Sequence, residues 1–275
     1  MNPSHLELAA AISQAFSKLD PVEAVALGGS FGNHSAGNDA SSDIDIYVYT
    51  RADVPLEDRR KIVELTGGAT IANLGLNYWG AGDEWYHLPT GIEVDIVYFD
   101  AAWMEDQIDR VIVHAQPSMG YSTCFWHTLR QSLILSDPQG WLSSLQKRCN
   151  VEYPEELRRA IIEFNYPVLR QIIPAYAHQV EKAVRREDLV SVNHRLAALF
   201  ASYFDILFAF NRVLHPGEKR MVAYALSHCS RIPEQMEVEV NEILQISRQS
   251  LPALPAMLTR LLDHLDELLK ADGLI

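Results

Sequence analysis

The sequence predicts an α+β protein: a mixed β-sheet flanked by helices over residues 1–150, then an all-α helical bundle over residues 151–275. Three observations carry that prediction. The 275-residue length exceeds one ordinary small domain and suits two, each able to bury a core. Up to about residue 150, short β-type runs alternate with helical stretches. Past residue 150 the β signal disappears and helical periodicity takes over.

In the front half, VEAVALGG (22–29) reads as a strand ending in a glycine turn. DIDIYVYT (43–50) and IEVDIVYF (92–99) alternate acidic and apolar residues before becoming apolar, the pattern of strands with one wet face. Between them PLEDRRKIVEL (55–65) has helical spacing of Leu56, Ile62, Val63 and Leu65 and closes at Gly67-Gly68. The aromatic, turn-rich stretch NYWGAGDEWYHLPTG (77–91) is expected to hold strand, loop and entry into the next strand. AAWMEDQIDRVI (101–112) is an amphipathic helix, and LILSDPQGWLSSL (133–145) a short strand, a turn at Asp137-Pro138 and a helix. In the back half, Pro154 followed by Glu155-Glu156 starts a helix, with acids near the positive end of its dipole. Pro167 and Pro174 are expected to kink or divide the helical stretch beyond Pro154. A long helix rich in Phe and Leu covers 188–214, and HPG (215–217) breaks it. Further helices are expected at 218–228, 236–249 and 253–271, the last stopped by Gly273.

Composition narrows the class. With 48% hydrophobic and 21% charged residues, the chain is neither disordered nor fibrous. No apolar run approaches the roughly 20 residues of a membrane span, and MNPSHLELAA lacks a basic-then-apolar signal pattern, so a cytoplasmic protein without membrane partners is expected. Cys124, Cys149 and Cys229 lack metal-type spacing and fit buried or free thiols in a reducing cytoplasm. The net charge of -13 argues against a nucleic-acid partner, since phosphate contacts need clustered Lys and Arg. Residues 1–150 hold 9 Lys and Arg against 19 Asp and Glu, and residues 151–275 hold 14 against 17, so the excess sits in front. The histidines have no zinc-type spacing, no Ser-His-Asp set is legible, and glycine motifs of dinucleotide or Walker type are absent.

The chemistry-bearing segment is Leu27-Gly28-Gly29-Ser30-Phe31-Gly32-Asn33, twelve residues after Ser30, then Asp43-Ile44-Asp45 preceded by Ser42. Asp43 and Asp45 are two apart on a strand, so both side chains emerge on one face. Side-by-side carboxylates repel, and they persist when a divalent cation or water satisfies both. Gly29 and Ser30 at a strand end permit close backbone approach and offer donors to phosphate oxygens. Asp95 sits on IEVDIVYF with apolar neighbours on either side. If that strand lies beside 43–50, all three acids line one end of a single sheet. Such a set suits in-line transfer at an α-phosphorus, with Asp43 and Asp45 bridging two metals and Asp95 completing the coordination of the second and serving as general base.

Gly29-Ser30, Asp43-Ile44-Asp45 and the later Asp95 together resemble the DNA polymerase β nucleotidyltransferase superfamily over about residues 22–100. The helical half looks like the second domain of the kanamycin, streptomycin and lincosamide nucleotidyltransferases, and more so like an uncharacterised bacterial domain that follows such catalytic domains. Many relatives carry Arg after the Gly-Ser turn, whereas this chain has Asn33, with His34 in the same loop. The resemblance implies two Mg²⁺ ions, a nucleoside triphosphate (ATP by preference) as donor, and a small-molecule hydroxyl as acceptor, with aminoglycoside-like molecules as the cationic candidates. An antitoxin-type module acting on a protein partner is the rival, and the helical half of over 100 residues argues against it.

An acidic front half needs positive charge from elsewhere to hold a triphosphate. Lys219 in HPGEKR (215–220) stands where related two-domain enzymes place a triphosphate-binding Lys, with Arg220 as substitute, against the plainer reading of a surface Lys in a helix's first turn. Asn193 and Asn211 lie 18 residues apart on one helix face, and His194, Asp205 and Arg212 form a second polar stripe. Satisfied buried groups or ion pairs explain them better than a cleft lining. Trp79, Trp85, Tyr86 and His87 are read as aromatic core ahead of an acceptor wall, and Glu93 as a solvated strand-end acid.

Overall fold

The structure, a computed structural model, describes residues 3–29, 43–246 and 248–275. It is α+β, as the sequence predicts. Two compact units make it up: Met1–Ile108 with Thr128–Val151, and Asp109–His127 with Glu152–Ile275. Residues 109–127 group with the second unit.

The first unit is built on a six-stranded sheet. Its strands are β1 (Val22–Leu27), β2 (Ile44–Thr50), β3 (Ala69–Leu76), β4 (Gly82–His87), β5 (Glu93–Asp100) and β6 (Leu133–Ser136), in the order β3-β4-β5-β2-β1-β6. Only β2 and β5 run parallel; the other neighbours are antiparallel. The helices are α1 (Pro3–Phe16), α2 (Leu56–Leu65), α3 (Ala101–Ile112), α4 (Cys124–Gln131) and α5 (Trp141–Cys149), with α3 and α4 running across the change of unit.

Period-2 alternation decides the faces. Ile44, Ile46 and Val48 of β2 and Val94 and Ile96 of β5 are fully buried and join Val25, Leu27, Trp85, and Ile12 and Phe16 of α1 in one core. Burying each such aliphatic side chain contributes about 1.5–3 kcal/mol before entropy. Leu8, Ala9, Ile12 and Phe16 recur at helical spacing, so one stripe of α1 covers the sheet. The opposite face of β2 and β5 carries Asp45, Tyr47, Asp95 and Val97, all partly exposed.

Three elements go beyond those expected from the sequence, α4 (Cys124–Gln131) among them. α1 occupies the N-terminal stretch, where no element was predicted, and β3 comes directly after the glycines that close α2, where Gly67 and Gly68 adopt φ of 119° and 77°. Trp85 and His87 are buried, as aromatic core should be. Trp79, at the β3–β4 turn, is 92% exposed and Tyr86 is exposed as well, which corrects the expectation for both. Tyr86 alternates with Trp85 along β4 and so faces the other side of the sheet.

The second unit is helical: α6 (Glu155–Arg170), α7 (Tyr176–Arg185), α8 (Leu189–Phe210), α9 (Met221–His228), α10 (Met236–Leu244) and α11 (Leu254–Ala271). Asp188 caps α8 by accepting from the Ser191 N–H at 3.0 Å. From Leu199 to Phe210, α8 is buried at all but one position, which makes it the central element of this unit. Pro167 does not divide α6, which runs on for three residues, whereas Pro174 falls between α6 and α7. The long helix ends at Phe210, short of the expected 214. Among the described residues no helix is long and apolar enough to cross a membrane.

Candidate functional site

The acids of the first unit meet through strand register. β2 and β5 pair in parallel with Asp45 opposite Asp95, which places both carboxylates on the same face of adjacent strands. Asp43 stands two residues ahead of Asp45, at the entry to β2. On the other side of β5, β4 pairs Glu84 with Asp95 and Tyr86 with Glu93, adding Glu84 to the same face. Glu93 is exposed and hydrogen-bonds the Tyr86 hydroxyl, in keeping with a solvated strand-end acid.

The glycine turn is fitted to these side chains. Gly28 donates its N–H to the Asp45 carbonyl at 2.9 Å, so β1 delivers the turn directly beside Asp45. Gly29 has φ of 58°, and a Cβ there would come within 1.7 Å of Asp45 Oδ2. A Cβ on Gly28 would come within 2.1 Å of the Tyr47 ring. Both positions must lack a side chain because Asp45 and Tyr47 occupy that space. The glycine pair and the acid strand are therefore one spatial unit.

Electrostatics show how tightly the acids interact. Burial first, then the negative charges of Asp45, Glu84, Asp43 and Glu93 in that order, push the Asp95 carboxyl up to about 6. Tyr47 is pushed up to about 12, mainly by burial and then by Asp45, against a lowering hydrogen bond from the Gly29 backbone. Beyond the acids, the same strands continue into an aromatic cluster. Tyr47 and Tyr49 pack on Phe99 at 5.6 and 5.8 Å between ring centres, and Trp103 stacks on Phe99 at 6.1 Å.

Among the described residues, no three His, Cys, Asp or Glu side chains already form a metal cage. The donor set nevertheless fits a hard divalent cation: partly exposed carboxylates on one face, one of them held against ionisation by burial and by its neighbours.

A family described as a domain of unknown function (DUF4037) matches residues 125–221, about a third of the chain. No curated protein matches it. Among solved structures, the crystal structure of a nucleotidyltransferase-like protein from Exiguobacterium sibiricum is similar over 96% of this chain and 74% of that one, with a TM-score of 0.45 and 11% identity.

Of the other expected site residues, Ser30 and Ser42, with Asn33 and His34, lie outside the described residues. Lys219 is exposed in a turn that precedes α9, not in the first helical turn, and Arg220 caps that helix with φ of 55°. Asn193, Asp205, Asn211 and Arg212, at α8 and its end, have structural partners, while His194 is exposed. Asn193 bonds the Leu189 carbonyl at 3.0 Å, and Asn211 bonds the carbonyls of Leu207 and Arg231 at 2.9 and 2.8 Å. Arg212 pairs with Glu155 at 2.6 Å. Asp205 is buried and accepts from the Ser122 N–H at 3.0 Å and its hydroxyl at 2.6 Å. Burial lifts Asp205 to about 7, partly offset by Ser122.

Two residues on the carboxylate face stand outside the set expected from the sequence. Tyr47 had a signal, its place two residues beyond Asp45 on the same strand. Glu84 had none, because only the β4–β5 register brings it beside Asp95.

Proposed function

We propose that the first unit is a metal-dependent nucleotidyltransferase site that moves a nucleoside monophosphate, by preference AMP from ATP, to a hydroxyl of a small molecule. The observation that supports this reading most is the register of Asp45 against Asp95 beside a glycine turn shaped around Asp45. Asp43, Asp45 and Asp95 would hold two Mg²⁺ ions, which neutralise charge on the phosphates and lower the pKa of the attacking hydroxyl.

The chain's own groups have distinct tasks. The Gly28-Gly29 turn leaves room for Asp45 and Tyr47 to pack directly against it, which keeps Asp45 at the sheet end where the phosphates would be held. Asp95 accepts the acceptor hydroxyl's proton. The hydroxyl oxygen forms a bond to the α-phosphorus as the bond to the bridging oxygen breaks, and pyrophosphate leaves. Lys219 is proposed as a triphosphate ligand from its place in the sequence alone. The acidity of the face, with Glu84 and Glu93 beside the aspartates, favours a cationic acceptor such as an aminoglycoside-like molecule.

Isothermal titration with ATP and Mg²⁺ tests the nucleotide half. Binding that Asp43→Asn weakens at least tenfold is expected; absence of binding, or binding untouched by the substitution, removes the reading. Pyrophosphate release across a panel of hydroxyl acceptors then identifies the second substrate.

A further inference from the structure

Two glycines in a row have the widest conformational freedom a chain offers, so the Gly28-Gly29 turn keeps one shape only if its surroundings impose it. β2 imposes it through alternate residues. The Asp45 carbonyl accepts the Gly28 N–H at 2.9 Å. Two residues on, the Tyr47 side chain lies over the turn. A Cβ built on Gly28 would stand 2.1 Å from its Cε2, 2.3 Å from its Cζ and 2.6 Å from its hydroxyl oxygen. That oxygen accepts the N–H of Gly29. The ring is held in turn by Phe99, edge to face at 5.6 Å between centres.

Each amide of the turn carries one hydrogen, and β2 takes both. The Gly28 and Gly29 amides therefore act as ties to the sheet and are not left as donors for a phosphate, the role that glycines at a strand end suggest. The tie reaches the acid cluster. Gly29 holds φ of 58°, and the space a Cβ would fill there is occupied by the Asp45 carboxylate, whose Oδ2 would lie 1.7 Å away. Asp45 in turn stands opposite Asp95 in the β2–β5 register. Contact thus runs from the Tyr47 hydroxyl to Gly29 and from Gly29 to the Asp45 carboxylate.

We propose that Tyr47 is a positioning residue: its hydroxyl locks the turn against the Asp45 carboxylate and so fixes the spacing of Asp45 from Asp95 on which a shared cation depends. The proposal rests on the reading of these aspartates as cation ligands. Tyr47 acts through Gly29 and Asp45, with no contact to cation or nucleotide required. A carboxylate that gains freedom holds a cation less well, because the ligand must be ordered again at each binding event.

Tyr47→Phe is the test, since it keeps the ring, its packing on Phe99 and its cover over Gly28 while removing the hydroxyl. Gly29 is exposed, so its amide owes protection from solvent exchange to the hydrogen bond and not to burial. NMR-detected exchange at Gly29 is expected to be slow in the parent chain and about tenfold faster in the variant. Calorimetric titration with Mn²⁺ alone is expected to show affinity about tenfold lower in the variant, with thermal melts nearly superimposed. Equal Gly29 exchange in the two chains, or equal Mn²⁺ affinity, overturns the proposal. So does a large drop in Tm accompanying the loss of affinity, which marks a general loss of structure. A parent chain that binds no Mn²⁺ removes the cation reading and this proposal with it. With both differences present, a parent that binds Mn²⁺ but not ATP supports the role of Tyr47 while removing nucleotidyl transfer.

Discussion

Replacing Asp95 by Asn separates repulsion within the acid cluster from its capacity to hold a cation. In the folded chain Asp95 titrates near 6 instead of 3.8, because it is half-buried and faces four other acids. A carboxyl whose folded pKa is raised holds its proton more tightly when folded. Its stabilising contribution is complete below pH 3.8 and is lost as the pH climbs through about 6. A displacement of that size corresponds to about 3 kcal/mol if unscreened. Solvent reaches part of the group, which reduces the figure to roughly 1–2 kcal/mol. Asp95→Asn should therefore stabilise the metal-free protein at pH 8 by that amount, raising Tm by a few degrees. The parent chain should lose stability between pH 4 and pH 7, and the variant should lose less. Mn²⁺ or Mg²⁺ should reverse the order at pH 8: a cation at a hundred times its Kd adds about 2.7 kcal/mol to the parent and far less to the variant. Thermal melts followed by circular dichroism at pH 5 and pH 8, with and without cation, measure all of these differences. A variant less stable than the parent at pH 8 without metal, or equal stabilisation of both by cation, would refute the reasoning.

The same geometry yields three further outcomes. Gly29→Ala places a methyl on Asp45 and forces a side chain to φ of 58°, at a conformational cost of about 1–2 kcal/mol; melts should show that loss, and ATP–Mg²⁺ titration a drop of tenfold or more in affinity. Lys219→Ala, at an exposed position, should leave Tm unchanged yet raise the KM for ATP about tenfold in a pyrophosphate-release assay. Asp205→Ala leaves the buried Ser122 donors unsatisfied and should cost roughly 2–3 kcal/mol in denaturant unfolding, whereas Asp205→Asn, which keeps an acceptor, should cost less.

Much of the fold was legible because its signals are local. The alternation in 43–50 and 92–99 gives β2 and β5 within a residue or two, and Asp137-Pro138 marks the turn between β6 and α5. Pro154 with two acids after it marks the start of α6. Sequence and structure part where a local signal meets tertiary compensation. Pro167 removes one backbone donor, but the packed face of α6, with Ile161, Ile162 and Leu169 buried, carries the helix through it. β3 contains Gly75 and few strand-forming residues in regular alternation, so its existence depends on pairing with β4. Residues 109–127 have no composition that separates them from the front half; their grouping rests on contacts such as Ser122 with Asp205, 83 positions apart.

For the site, the sequence by itself determined which chemistry-bearing residues exist and which share a strand. Spacing of two puts Asp43 and Asp45 on one face, and glycines at a strand end leave room for close approach. Only the tertiary structure decided that β5 lies parallel to β2 with Asp95 opposite Asp45, and that β4 adds Glu84 beyond it. Strand order and register are set by which apolar faces bury together across tens of residues, and no short-range pattern encodes that choice. The same cause hid the fit of Gly29 around Asp45, since the two touch in space but stand sixteen positions apart in sequence.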